Sequence, residues 1–234
     1  MIRLEVACNS WESCVNAEKG GADRIELFEN LSDGGCTPSA GLIYMSTKLT
    51  IPVYVMIRPR GGDFCYTEDE IKIMEADIDI CKSAGVNGIV FGCLTNEGLV
   101  DVVCCERLLK RWGGPATFHR AIDECIDIIS ALKTVKSLGF ERVLSSGGAV
   151  NAFEGMSTLR TMQSEFGESI TILPGCGITS KNVIEILHTT GCHEIHATCK
   201  DIYESEIKNS GRGLFNKRSI SSEFLVKELK SKIA

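Results

Sequence analysis

The sequence has no apolar run of about 18 residues, the length that suggests a bilayer-crossing helix, so no membrane association is expected. It has no excess of positive charge either. Lysine and arginine number 25 against 31 aspartates and glutamates, a net charge of −6, which excludes a general binder of nucleic-acid phosphates. No C-x-x-C pair occurs among its 12 cysteines, and Glu5 interrupts the first apolar residues too early for a signal peptide. Without a secretory context a disulfide framework is not expected. The cysteines read as small buried hydrophobes and the location as cytoplasmic. No linker divides the 234 residues, so residues 1–234 are expected to form one domain with a sizeable core.

What is present is an alternation of short apolar strands and helices. Strands are expected at 2–7, 23–27, 53–57, 87–91, from Ala116 onward, and at 141–144, 169–173 and 193–197. Between them the capping signals predict helices. Ser10 caps one that stops at Gly20-Gly21, and Thr37 with Pro38 opens the next. Thr67 and Glu70 form a capping box before a helix to about 83. Further helices are expected at 100–110, at 126–137, up to about 166, and from Thr179 or Ser180 to about 190. Residues 201–218 read as irregular and polar. A last helix, 222–232, places Leu225, Leu229 and Ile233 on one face. Eight strands alternating with helices predict a (β/α)8 TIM-type barrel. A phrase of the type Gly21-Ala22-Asp23-Arg24-Ile25 recurs before strands two, four, six and eight, every 52 to 64 residues, so the chain reads as four (βα)2 quarters.

In such a barrel the site lies at the carboxyl ends of the strands, and strand side chains alternate inward and outward. The apolar parity (Leu4, Val6, Ile25, Leu27) belongs to the helix side. The opposite parity then carries Glu5, Glu26, Arg58, His119 and His196 inward, near the top. These five are the candidate catalytic residues: a carboxylate or imidazole to move a proton, and a guanidinium to hold an anionic or enolate oxygen. The competing reading is a salt-bridge layer that fills the barrel, since buried charges must pair.

Other residues follow from position. Arg60 and Arg120 add positive charge near the mouth, as ligand-binding residues or as loop anchors. Asp123 either joins the site or caps the helix after strand five. Gly147 and Gly148 after strand six, and Gly175 and Gly177 after strand seven, either cradle a phosphate with their N–H groups or only shape tight turns. No metal ligand set is evident. Cys192 and His196 stand about 13 Å apart along a strand, and His193 and His196 face opposite sides. Glu5, Glu26, His119 and His196 have the chemistry for zinc or manganese. Cys104-Cys105 sits on a helix where neighbours diverge and reads as packing.

Several phrases resemble the CutC family. They are Leu4-Glu5-Val6, Gly20-Gly21-Ala22-Asp23-Arg24-Ile25-Glu26-Leu27, Gly34-Gly35-Cys36-Thr37-Pro38-Ser39, Met56-Ile57-Arg58-Pro59-Arg60-Gly61-Gly62-Asp63-Phe64, Phe118-His119-Arg120-Ala121 and the Ser146-Gly147-Gly148 turn. The likeness runs over about residues 2 to 200. It implies a TIM-type barrel, a cytoplasmic location, homodimers or larger assemblies, and a part in copper homeostasis with copper as the suspected cofactor. One departure stands out. Some family members carry cysteines, proposed Cu(I) ligands, just after the strand-one Glu-Val and the strand-two Glu-Leu. Here those positions are Ala7 and Phe28. Two functions follow: a copper-homeostasis protein, by resemblance, or a barrel enzyme moving protons on a small polar or anionic metabolite, by the inward charges.

Overall fold

A computed structural model describes residues 2–204, 206 and 217–234. In chain order the elements are β1 (Arg3–Cys8), α1 (Trp11–Gly20), β2 (Arg24–Leu27), α2 (Ala40–Ser46), β3 (Val53–Met56), α3 (Glu68–Ala84), β4 (Gly88–Phe91), α4 (Val102–Trp112), β5 (Ala116–Phe118), α5 (Ile128–Ser137), β6 (Arg142–Ser145), α6 (Met156–Phe166), β7 (Thr171–Pro174), α7 (Val183–Thr190), β8 (Glu194–Ala197), β9 (Lys200–Glu204), β10 (Lys217–Ser221) and α8 (Glu223–Ile233).

The first eight strands are all parallel, in the ladder order β7-β6-β5-β4-β3-β2-β1-β8. The edges β7 and β8 meet to close the barrel, with Gly175 against the His196 side chain. This is the expected TIM-type barrel. Both faces of each strand are covered, which is why the strands are short and rich in Val, Ile and Leu. The parity argument holds in detail. Leu4, Val6, Ile25, Leu27, Val55, Ile89, Val143 and Ile195 all belong to the core between strands and helices. The opposite parity fills the interior, where the small apolar cluster Ala7, Phe28 and Met56 stands apart from the main core.

Local sequence explains most helix ends. Ser10 Oγ accepts the Ser13 N–H, Thr67 and Glu70 form the reciprocal capping box, and Asp101 and Asp127 cap α4 and α5. Gly21, Gly85, Gly113 and Gly191 end helices in the left-handed conformation.

Four expectations are corrected. Thr37 does not cap α2. Its hydroxyl accepts the Arg58 N–H (2.9 Å) and its own N–H donates to the Arg58 carbonyl (2.8 Å), so Ser39 takes the cap. The helix after β7 starts behind Asn182, not Thr179 or Ser180. Asn182 is occupied in bracing the turn before it, accepting from Thr179 N and donating to Gly177 O. The segment 201–218 is not wholly irregular, since β9 and β10 pair as an antiparallel ribbon. Its residues 205 and 207–216 lie outside the described residues. The ribbon is anchored to α1 and β1: Asn9 and Asn16 donate to the Ser219 and Ser221 carbonyls, and Ser221 Oγ donates to the Ala7 carbonyl. Finally, the buried face of α8 is Val226, Leu229 and Ile233, while Leu225 is only half-buried.

The dock of α8 on α1 needs Gly20. A Cβ there would fall 2.5 Å from Val226 Cβ. Gly20→Val is therefore expected to destabilise the fold by about 1–3 kcal/mol through overpacking. A urea unfolding midpoint no lower than wild type would refute this seating of α8.

Candidate active site

The base of the barrel interior is an ion-pair layer. Arg24 is 5% exposed. Its Nε bonds Glu5 Oε2 and its Nη2 donates to Glu194 Oε2 at 2.7 Å. Arg142 donates to the same Glu194 oxygen at 2.8 Å and to Glu141 at 2.8 Å. Both guanidinium groups lie against the Tyr54 ring, whose hydroxyl donates to Glu141 at 2.6 Å. Every charge here has a partner, as burial demands. A salt-bridge layer thus exists; Glu5 belongs to it, with Arg24, Arg142, Glu141 and Glu194 in place of Glu26, Arg58 and His119.

Above it stands a chain of three groups. His196 Nδ1 lies 2.8 Å from Glu5 Oε1, and His196 Nε2 lies 3.6 Å from Glu26 Oε2. Burial works against ionising Glu5, yet Arg24 and His196 override it and hold the carboxyl well below the usual range. Burial also opposes a charge on His196, but Glu26 and Glu5 raise its affinity for the proton. Glu26 has no guanidinium bonded to it. Burial pushes its carboxyl up to about 7, and the Glu5 charge adds to this while His196 and Arg24 oppose it. Its Oε1 is buried and has no hydrogen-bond partner.

His119 is a different kind of group. Its Nδ1 accepts the Ala121 N–H at 3.3 Å, so the ring proton belongs on Nε2. That nitrogen is buried and unpartnered. Phe64 packs against the ring, with centroids 4.8 Å apart, and Phe118 meets it edge-on. Burial, with Arg58 and Arg120 nearby, pushes the imidazole down to about 3. His119 is therefore a neutral N–H donor.

A cavity of about 650 Å³ opens over these groups. Glu26, Arg58, His119 and His196 all line it, and Glu5 lies beneath. Its walls are mostly apolar, with Phe28, Met56, Phe64, Leu144 and Ile178 from the barrel rim and Leu225 and Leu229 from α8. Such a volume and lining are typical of a small-molecule site.

The remaining candidates separate. Arg58 does line the cavity, but Nη1 donates to the Asp33 and Gly35 carbonyls and Nη2 to the Gly62 carbonyl, at 2.6 to 2.8 Å. It clamps the loops after β2 and β3 through these three bonds, while its buried Nε has no hydrogen-bond partner. Arg60 is a loop anchor bonded to Glu70, Asp63 and the Cys65 carbonyl, away from the cavity lining. Arg120 reaches the cavity rim while paired with Asp123 (2.9 Å) and Ser146 Oγ (3.1 Å). Asp123 is not the cap of α5, which is Asp127. Asp123 instead accepts from Ser145 Oγ, Ser146 N and Oγ, and Gly148 N, tying down the loop after β6.

That bonding also answers the phosphate question at this loop. The Gly148 N–H goes to Asp123 and the Gly147 N–H to Ser145 Oγ. The Gly175 N–H goes to the Ser145 carbonyl. These amides serve the fold and are not free to cradle an anion. Of the four glycines only Gly177 borders the cavity. Among the described residues no group of three His, Cys, Asp or Glu side chains is placed to hold a metal ion, so Glu5, Glu26, His119 and His196 do not meet as a metal centre. Sequence reading missed Arg142 in the ion-pair layer and Phe64, Leu225 and Leu229 in the wall. Strand parity would have found Arg142, which shares its register with Thr117; no local signal points to the others.

The family model described as CutC family matches residues 2–201. The chain is 44% identical to a human protein named copper homeostasis protein cutC homolog over 227 residues, covering 96% of this chain and 83% of the relative. It is 43% identical to a family protein CutC of Photobacterium profundum, covering 88% and 85%. The crystal structure of a copper homeostasis protein CutC from Streptococcus agalactiae superposes with a TM-score of 0.81 at 32% identity, over 85% of this chain and 99% of that one. An N-(5'-phosphoribosyl)anthranilate isomerase from Pyrococcus furiosus, at 14% identity and a TM-score of 0.62, shares the fold alone.

Two outcomes test the electrostatics. Arg24→Met leaves Glu5 and Glu194 short of a counter-charge in the interior. It should cost about 3–5 kcal/mol, as when one partner of a buried pair is removed; a loss below about 1 kcal/mol in chemical denaturation would show that the layer does not depend on it. The second concerns pH. Glu26 holds its proton more tightly folded, near pH 7, than its ordinary 4.5. Its contribution is fully present below pH 4.5 and is lost as pH rises through about 7. The raised His196 acts in the same direction. Wild-type stability should therefore fall between about pH 5 and 8, and Glu26→Gln should flatten much of that slope. Equal slopes for the two proteins would contradict the assignment.

Proposed function

The chain belongs to the CutC family, and from that membership we propose that it takes part in copper homeostasis, the role named in its human and mouse relatives. The supporting observation is likeness along nearly the whole chain. The barrel mouth does not fit Cu(I). Cu(I) prefers soft sulfur; the two positions where family members offer cysteine are Ala7 and Phe28, both in the apolar wall, and although Cys176 and Cys199 also line the cavity, no group of three His, Cys, Asp or Glu side chains among the described residues is placed to hold a metal ion. The proposal includes a cytoplasmic location and self-association. Leu99 and Ile126, exposed on neighbouring loops, and Val103, exposed at the start of α4, offer apolar surface for the latter.

A second reading rests on one specific observation: Glu26 Oε1 and His119 Nε2 are both buried, unpartnered and on the cavity wall. One is an acceptor on a carboxyl poised near pH 7, the other an N–H donor that stays neutral. This pair suits proton transfer on a small uncharged ligand with a carbonyl group. Glu26 takes a proton from the carbon beside the carbonyl, and His119 donates a hydrogen bond to the oxygen as negative charge develops there. Glu26 then returns the proton to the oxygen, which gives the enol, or to the opposite face of the carbon it came from, which inverts that carbon. His196 faces and positions Glu26, and the Glu5 charge adds to the proton affinity that burial gives it. Three Arg58 N–H groups and the Gly148 amide are already bonded, which favours an uncharged ligand; the buried Arg58 Nε–H stays without a partner and is a further donor for the same oxygen.

The two readings separate experimentally. Deleting the gene should lower copper tolerance, and restoring the wild-type chain should recover it; unchanged tolerance would remove the copper role. For the mouth, a panel of uncharged aldehydes, ketones and hydroxyketones would be screened by thermal shift. Hits should lose at least about tenfold in affinity in Glu26→Gln and His119→Phe, as expected when a buried polar partner is removed. Hits bound equally by both variants, or carboxylates and phosphates bound best, would sink this reading.

A further inference from the structure

We propose that the ligand of the barrel mouth has two parts: an uncharged aldehyde or ketone group, and an extended apolar body attached to it. Its polar half rests on the carbonyl reading of the mouth above, and its apolar half rests on the wall. The free polar atoms belong to the buried lining. Glu26 Oε1, His119 Nε2 and Arg58 Nε are buried without partners, and all three residues border the cavity. The other Asp, Glu, Lys and Arg residues on its border are Asp33, Arg120, Lys200 and Glu228, all exposed or half-buried. They meet water at the outer edge, and Arg120 is already paired with Asp123 at 2.9 Å.

Strand alternation builds the rest of the wall. On or just past four strands, the inward residue two places beyond a buried polar one is apolar and lines the cavity. These are Ala7 beyond Glu5, Phe28 beyond Glu26, Met56 beyond Tyr54 and Leu144 beyond Arg142. All four are buried, yet none joins the main core between strands and helices. Ala7, Phe28 and Met56 form their own small cluster, and Leu144 is in neither. Leu144 lies instead over Gly175, where a Cβ would fall 2.5 Å from its Cδ1. The helices do not depend on these side chains for their seating, so their apolar surface serves the cavity. The last helix extends the same wall. Leu225 borders the cavity from outside the buried face of α8, and Leu229 borders it from within that face.

Size decides between a short metabolite and a longer body. The cavity holds about 650 Å³. At about 30 Å³ for each water-sized group, a four-carbon ketone fills only about a quarter of it and leaves most of the apolar wall against water. A ligand with an apolar body removes that surface from water, which is favourable in proportion to the area covered. Its carbonyl is the one part that needs hydrogen bonds, and the buried lining offers them there.

The test is calorimetric titration of the full-length protein with straight-chain methyl ketones of four, six, eight and ten carbons. Affinity should rise about fourfold for each added methylene, at one ligand per chain. Leu225→Ser should weaken the ten-carbon ketone about tenfold and leave the four-carbon ketone unchanged. Affinity that varies less than about twofold across the whole series overturns the proposal, as does equal loss of both ketones in Leu225→Ser, or several weak ligands per chain. Glu26→Gln and His119→Phe separate this from the carbonyl reading, since each should weaken every ketone by the same factor. A length dependence with undiminished affinity in both variants keeps the apolar body and rejects the carbonyl group; loss in both variants without length dependence does the reverse. The wild-type series needs no substitution, so it decides the matter even if the variants misfold.

Discussion

Arg24 is the interaction on which the interior depends. It is fully buried at the barrel base, bonded to Glu5 on one side and to Glu194 on the other. Because it stabilises Glu5 as an anion, Glu5 adds to the Glu26 carboxyl in raising the proton affinity of His196, and His196 in turn faces Glu26. Glu26 has only that weaker, more distant partner, so burial wins and its carboxyl rises to about 7. Two glutamates with the same side chain, on adjacent strands, are thereby driven to opposite ends of the carboxylate range. The cause is which of them the guanidinium reaches.

His119 completes this division on the other side of the mouth. Aromatic packing and the nearby Arg58 cation keep it neutral. Arg58 itself is largely committed to three backbone carbonyls and acts as a structural clamp with an electrostatic effect at a distance. At its buried end the cavity therefore offers the Glu26 carboxyl, raised to about 7, and one neutral donor, within mostly apolar walls. Its cationic groups are mostly satisfied by the protein. This balance argues for an uncharged ligand.

The barrel was legible because a parallel strand covered on both faces must alternate its side chains in a way the sequence displays. Leu4, Val6, Ile25 and Leu27 against Glu5, Arg24 and Glu26 was enough to orient the first two strands. The same rule brought Glu26, Arg58, His119 and His196 to one cavity. It did not foresee what their atoms bond to. Asp123 looked like a helix cap because caps are local, yet its partners Ser145, Ser146 and Gly148 lie 22 to 25 residues away. Cys104 and Cys105 pack in the core as their helix position suggests, but nothing in the helix spacing reveals that the preceding loop returns Cys93 to the Cys104 sulfur.

The sequence by itself determined the barrel, the inward strand-ends and the caps at Ser10 and at Thr67 with Glu70, since each follows from periodicity or from residues three or four apart. Only the tertiary structure decided which inward charges pair and which stay free, which glycine amides are already spent, and that Leu225 and Leu229 of the last helix wall the cavity. The reason is physical: proton affinity depends on burial and on a partner a few ångströms away, and those partners come from strands and loops remote in the chain.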